Sequence, residues 1–189
     1  MSSFSKTPDQ RRAIDLLGSA ARYVLLFGGS RSGKTFILIY ALLVRALKAP
    51  GSRHAILRAH FNAVKQSVFM DTLPKVRQLA FPGLSCRENR SDWLIILPNR
   101  SEIWIGGLDD NERADKILGR EYATIYFNEA SEIGFHAVTT ALSRLAQKTT
   151  LVNKAYFDCN PSGKSHWSYR LFVEKLDPAT RLPVSQPEL

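Results

Sequence analysis

Eight consecutive residues constrain this chain more than anything else in it. Gly28-Gly29-Ser30-Arg31-Ser32-Gly33-Lys34-Thr35 fits the pattern G-x-x-x-x-G-K-[ST]. The apolar run Tyr23-Val24-Leu25-Leu26-Phe27 precedes it, and Phe36-Ile37-Leu38-Ile39-Tyr40-Ala41-Leu42-Leu43 follows. The order reads as a buried strand, a glycine-bearing loop and an apolar helix. Each residue type has a chemical reason. Glycines let backbone N–H groups curl around a triphosphate, and the helix N-terminus adds partial positive charge. Lys34 is placed to reach the β- and γ-phosphates, and the Thr35 hydroxyl to hold Mg²⁺. Gly28, Gly29, Ser30, Arg31, Ser32, Gly33, Lys34 and Thr35 are therefore the expected nucleotide-binding residues, with ATP and Mg²⁺ as cofactors.

The remaining totals bound the class. At 189 residues and 44% hydrophobic, the chain can bury one sizeable core, so one domain is expected. Its 26 Lys+Arg against 17 Asp+Glu give a formal charge of +9, which suits a polyanionic partner. The basic residues are spread along the chain, so an ordinary solvated surface accounts for them equally well. Cys86 and Cys159 stand far apart without a partner pattern, against a disulfide scaffold or zinc site and in favour of a reducing cytoplasm. The start has no apolar signal region, and no apolar run is long enough for a bilayer.

Along the chain, Thr7-Pro8-Asp9-Gln10 opens a capped helix. Gln10 offers both an amide donor and an acceptor, which suits an adenine edge. His54 to Ala59 reads as a strand. Phe61 to Leu79 is helical in pattern, with an interruption at Pro74. Arg58 and Lys65 lie where DNA phosphates are one partner, solvent the more ordinary one. Asp92 to Leu97, the turn Pro98 to Ser101 and Glu102 to Gly107 make a hairpin. Ala123 to Phe127 is an apolar strand that ends in Asn128-Glu129. A carboxylate there, near the γ-phosphate, is what an ATPase needs to deprotonate the attacking water, and Glu129 is the candidate base. Asn128 accepts from metal-bound water without contributing charge. Ala137 to Ala146 is helical, and Lys154 to Pro161 forms another strand, whose end Asp158-Cys159-Asn160 stands where helicase-type enzymes, which it resembles in this, place a polar residue that senses the γ-phosphate. His166 has no paired metal ligand around it and reads as packing or capping. Residues 1–176 form the expected domain; 177–189, with three prolines, read as a linker. The alternation predicts an α/β fold of the P-loop NTPase (RecA/ASCE-like) kind: a mostly parallel sheet, helices on both faces, and a β-hairpin insertion.

Taken together, Thr7-Pro8-x-Gln10, the loop, Gly119-Arg120-Glu121-Tyr122 leading to Phe127-Asn128-Glu129-Ala130-Ser131, and Cys159-Asn160-Pro161-x-Gly163-x-x-His166-Trp167 resemble the N-terminal ATPase domain of phage large terminase subunits. These are the motors that pump double-stranded DNA into a viral procapsid. The resemblance implies that Arg31 reaches the γ-phosphate from within the subunit and that Asn160 belongs to the motif coupling hydrolysis to DNA movement. It also implies an arginine finger supplied by a ring neighbour. Leu118 occupies the position where that arginine usually stands, leaving Arg120 and Arg113 as candidates. Further implications are a homo-oligomeric ring when assembled and a monomer in isolation, a portal protein and a small terminase subunit as partners, and the cytoplasm of an infected host cell. The family's C-terminal nuclease domain is absent from this chain, so no nuclease activity is expected of it. Two other readings fit the loop: a superfamily 1 or 2 helicase fragment, which needs a second RecA-like domain, and a nucleotide-dependent switch protein with little turnover, a reading that Asn128 supports.

Overall fold

The structure, a computed structural model, describes residues 5–109, 111–160 and 163–184, with only the backbone of 111–113. The apolar run ahead of the loop forms β1 (Tyr23–Phe27), and β2 (Arg53–Arg58), β3 (Arg87–Asn89), β4 (Leu94–Ile96), β5 (Glu102–Gly107), β6 (Thr124–Phe127) and β7 (Lys154–Cys159) join it in one sheet. The strand order is β1-β7-β6-β2-β5-β4-β3. β1, β7, β6, β2 and β5 run parallel, while β4 and β3 are antiparallel additions at one edge. The hairpin is built into the main sheet, because its second strand pairs with β2 from Arg53↔Glu102 to Arg58↔Gly107.

Strand alternation distributes the core to both faces. On β6, Tyr126 packs with Leu38, Leu42, Ile56 and Tyr156 on one side. Its neighbours Ile125 and Phe127 pack with Val138, Phe157 and Trp167 on the other. The first layer is covered by α1 (Pro8–Gly18), α2 (Lys34–Lys48) and a segment comprising α3 (Phe61–Val64), π-helical turns over Lys65–Thr72, and α4 (Leu73–Ala80). The interruption expected at Pro74 thus takes the form of wide turns ahead of it. Proline lacks an N–H, which makes the first turn of α4 its natural place. The second layer receives α5 (Asn111–Leu118), α6 (Phe135–Leu142) and α7 (Trp167–Tyr169), which continues into a π-helical turn over Arg170–Glu174.

The stretch after Leu176 does not run free as far as it is described. Asp177 N–H donates to the Leu182 carbonyl and Val184 N–H to that of Lys175, and Val184 packs on the second core layer. Among the described residues no helix is long and apolar enough to cross a membrane.

Candidate active site

The loop between β1 and α2 owes its shape to two left-handed residues, Arg31 at φ 62° and Gly33 at φ 81°. Glycine is required at the second. A Cβ there would lie 2.9 Å from Gln10 Nε2, and left-handed backbone is cheap only without one. Lys34 Nζ reaches back over the loop, donating to the Gly28 and Gly29 carbonyls at 2.8 and 2.9 Å. α2 then runs fifteen residues from Lys34, aiming the positive end of its dipole at the loop. Arg31 is exposed at the loop tip.

Beside the loop, the same alternation that buries Tyr126 and Tyr156 under α2 brings Asn128 and Asp158 to that face. They stand one position beyond the last β6–β7 pair, Phe127↔Phe157. Thr35 Oγ1 donates to Asp158 Oδ2 at 2.9 Å. The other carboxylate oxygen accepts the Glu129 N–H at 2.7 Å. Asn128 Nδ2 donates to Asp158 at 3.2 and 3.4 Å and to the Tyr126 hydroxyl at 3.0 Å. Its Oδ1 is buried without a partner. Asp158 is 1% exposed; burial pushes its carboxyl above the usual range, and the hydrogen bonds from Glu129, Tyr126, Thr35 and Asn128 oppose that shift.

Glu129 adopts left-handed backbone, φ 51° and ψ 55°, a costly choice for a non-glycine residue that its N–H bond to Asp158 helps hold. The side chain is half-buried. Burial first, then the Asp158 charge, raise its pKa, while Arg58 pulls it down. Arg58, weighed above as a DNA or solvent contact, is instead engaged inside the protein. It forms a two-pronged bond to Glu132 at 3.0 and 3.2 Å and a contact to Ser67 at 3.3 Å. Lys65 likewise lies over the Trp93 ring.

A pocket of about 370 Å³ gathers loop residues Ser30 to Thr35 with Asp71, Thr72, Lys75, Glu129 and Asn160. A second, of about 380 Å³, lies on the other side of the loop against Gln10, Ala13, Phe27 and Ile37. Gln10 caps α1 there: its Oε1 accepts the Thr7 N–H at 3.1 Å, while its Nε2 faces Gly33. Phe27 is 63% exposed although it belongs to the apolar run read as buried. A larger cavity of about 500 Å³ lies between α1 and the far end of α2 and does not meet the loop. The Asp71–Lys75 pair, 2.6 Å apart, has the i,i+4 spacing of a helical ion pair, but nothing in the sequence places it beside the loop. Asp158 had a signal: it is the penultimate residue of a buried strand, two residues past Tyr156.

The other sequence candidates sit elsewhere. The Arg120 guanidinium lies over the Trp104 ring, 4.2 Å from its centre. The Arg113 side chain lies outside the described residues, as do Pro161 and Ser162. His166 caps α7, its Nδ1 accepting the Ser168 N–H. Trp167 Nε1 donates to the Ile133 carbonyl at 2.7 Å, tying the segment after β7 to the segment after Glu129.

Among the described residues no three His, Cys, Asp or Glu side chains are grouped to hold a metal by themselves. The donors present are oxygens: the Thr35 hydroxyl, the Asp158 carboxylate and the unpaired Asn128 Oδ1. Such a set fits Mg²⁺, which keeps much of its water and shares its shell with nucleotide phosphates.

A glycine loop between a strand at the sheet edge, of which only Val24 is buried, and a helix, with a polar strand end facing it from across an intervening strand, defines a P-loop nucleotide-binding domain. The family model for the phage terminase large subunit matches residues 20–184, and the chain belongs to that family. No curated protein sequence matches it. Among solved structures, the large terminase of a thermophilic bacteriophage superimposes with a TM-score of 0.79 at 20% identity, over 95% of this chain and 45% of that one. A form of that terminase in complex with ATPγS gives 0.73. The large terminase ATPase domain of Thermus phage P74-26 gives 0.60 at 21% identity, over 85% of this chain and 66% of that one. The HK97 bacteriophage large terminase gives 0.58 at 16%, over 98% and 40%. These likenesses establish the fold, and the chain spans under half the length of the thermophilic-phage and HK97 large terminase chains.

Proposed function

We propose that this domain is the ATPase motor of a phage packaging machine, hydrolysing ATP with Mg²⁺ to translocate double-stranded DNA. One observation carries the reading. Glu129, held in left-handed backbone by Asp158, opens into the same pocket as Lys34 and Thr35. The related terminase in complex with ATPγS supports the choice of nucleotide.

In this reading the loop N–H groups, Lys34 and the end of α2 bind the phosphates, and Arg31 reaches the γ-phosphate from the loop tip. Bound Mg²⁺, next to Thr35, supplies charge neutralisation at the transferred phosphoryl group. Glu129, with its proton affinity raised by its surroundings, takes the proton of the attacking water. Asn160 lines the pocket at the end of β7 and registers the γ-phosphate. The Trp167–Ile133 bond carries movement between the segments behind the two strands. Gln10 and Phe27 border the space next to the loop, where the adenine is placed. DNA is held through phosphates by a ring of subunits working with a portal and a small subunit in the host cytoplasm, and Arg120 or Arg113 serves a neighbour's site.

Phosphate release from Mg-ATP tests this, measured for the chain and for Lys34→Ala, with and without linear duplex DNA. Turnover that disappears with Lys34 and rises with DNA is expected. Turnover indifferent to Lys34 would contradict the assignment, and nucleotide binding with no turnover under any condition would favour a switch protein.

A further inference from the structure

The end of β6 carries a neutral amide at Asn128, where a divalent cation and a triphosphate call for an anion. A buried anion stands one strand over. Asp158 of β7 is 1% exposed. Its described hydrogen-bond partners are all neutral: Thr35 Oγ1 at 2.9 Å, the Glu129 N–H at 2.7 Å, Asn128 Nδ2 at 3.2 Å and the Tyr126 hydroxyl. A buried carboxylate without a hydrogen-bonded cation is costly to keep. This one lies against the hydroxyl expected on the metal. A second observation points to the same place: Asn128 Oδ1 is buried with no partner, an acceptor suited to the proton of a metal-bound water.

We propose that Asp158 is the residue that supplies the negative charge for the nucleotide's Mg²⁺, gripping it through Thr35 and metal-bound water, while Asn128 Oδ1 accepts from the same water shell. The charge that Asn128 does not contribute at the end of β6 is thus supplied from β7. Both residues face α2 by strand alternation, next to each other across the β6–β7 pairing, so the exchange displaces the charge by one strand spacing, about 5 Å. The same carboxylate orients the Glu129 backbone, so metal site and base share one anchor.

The inference rests on the ATPase reading, and the test separates the two. A fluorescent non-hydrolysable ATP analogue is titrated onto the chain in EDTA and then across Mg²⁺ concentrations. The Mg²⁺ midpoint is taken for wild type, Asp158→Asn and the charge exchange Asn128→Asp/Asp158→Asn, each against its own affinity in EDTA, with thermal unfolding as a check of folding. Asp158→Asn is expected to move the Mg²⁺ midpoint up by about 10- to 100-fold, the usual cost of removing an outer-shell metal partner. The exchange, which restores the charge one strand away, is expected to recover most of it. A midpoint unchanged in Asp158→Asn overturns the proposal. So does a folded exchange variant that stays as weak as Asp158→Asn, and should the single variant not fold, the exchange alone decides. Wild-type protein that binds no analogue with or without Mg²⁺ overturns the ATPase reading itself.

Discussion

At the start of β2, β6 and β7, His54, Thr124 and Lys154 stand side by side and buried; at the far ends of β6 and β7, Asn128 and Asp158 do the same. The first group is mostly closed by hydrogen bonds, with His54 Nδ1 as its one buried side-chain atom left without a partner. Ser52 and Ser101 hydroxyls donate to the Ala49 carbonyl at 2.6 and 2.9 Å, and Ser52 bonds His54 Nε2 at 2.8 Å. Arg45 bonds Thr124 at 2.8 Å, and Lys154 Nζ donates to the Leu17 and Ser19 carbonyls. Burial, then the Arg45 charge, push His54 down to about 3, so it stays neutral at any ordinary pH. Cations here meet the carbonyls at the C-terminal ends of α1 and strand ends nearby, where the helix dipole favours them. The second group has the opposite balance: a buried carboxylate, an unpaired amide oxygen and a left-handed glutamate. Polar groups that find partners stabilise a fold; what sets the second group apart is its buried carboxylate, bonded to Thr35 of the loop.

The comparison breaks first at Lys154. Lys154→Met removes the donor to two backbone carbonyls and is expected to cost about 3 kcal/mol in urea unfolding, with ATP affinity unchanged. A loss of ATP affinity at equal stability would tie the two ends together. Gly33→Ala should act at the loop end, costing about 1–2 kcal/mol through its positive φ and weakening nucleotide binding in the same titration.

Most of the loop end is legible from sequence because its pattern is local. Strand, glycines, Lys34 and Thr35 are contiguous, and Glu129 follows directly on an apolar strand. What escaped depends on register. Thr35 and Asp158 are separated by 123 positions, and Arg58 and Glu132 by 74. Neither pairing exists until β7 and β6 settle beside β1 and β2. β3 is a three-residue polar edge strand with no hydrophobic signal. Asp71 reaches the pocket from the π-helical turns before Pro74 and Lys75 from the first turn of α4, which a regular helix pattern does not foretell. Phe27 reads as core because it ends an apolar run; its exposure follows from β1 standing at a sheet edge.

Two smaller effects sharpen the contrast. Burial and the Asp158 charge raise the Glu129 pKa, and in the proposed role this carboxylate must be ionised to accept a proton. Turnover is therefore expected to fall on the acidic side at a pH above the ordinary carboxylate range. Arg58 opposes that shift, so Arg58→Gln should move the acidic limb to higher pH, and a limb that moves lower or stays would remove Glu129 as the titrating group. Gln10→Glu keeps a residue able to complete the capping box with Thr7, so stability should change by less than about 0.5 kcal/mol. It deletes the amide donor, so the preference for ATP over GTP in competition binding should narrow. An unaltered preference would leave Gln10 as a helix cap alone.

The most direct test of the contrast between a fold-bearing and a chemistry-bearing end is Glu129→Gln, with phosphate release and ATP binding read on the same preparation. The account predicts turnover down by at least about 100-fold, ATP binding retained and unfolding free energy not reduced. Full turnover in a folded, ATP-binding Glu129→Gln protein would contradict it.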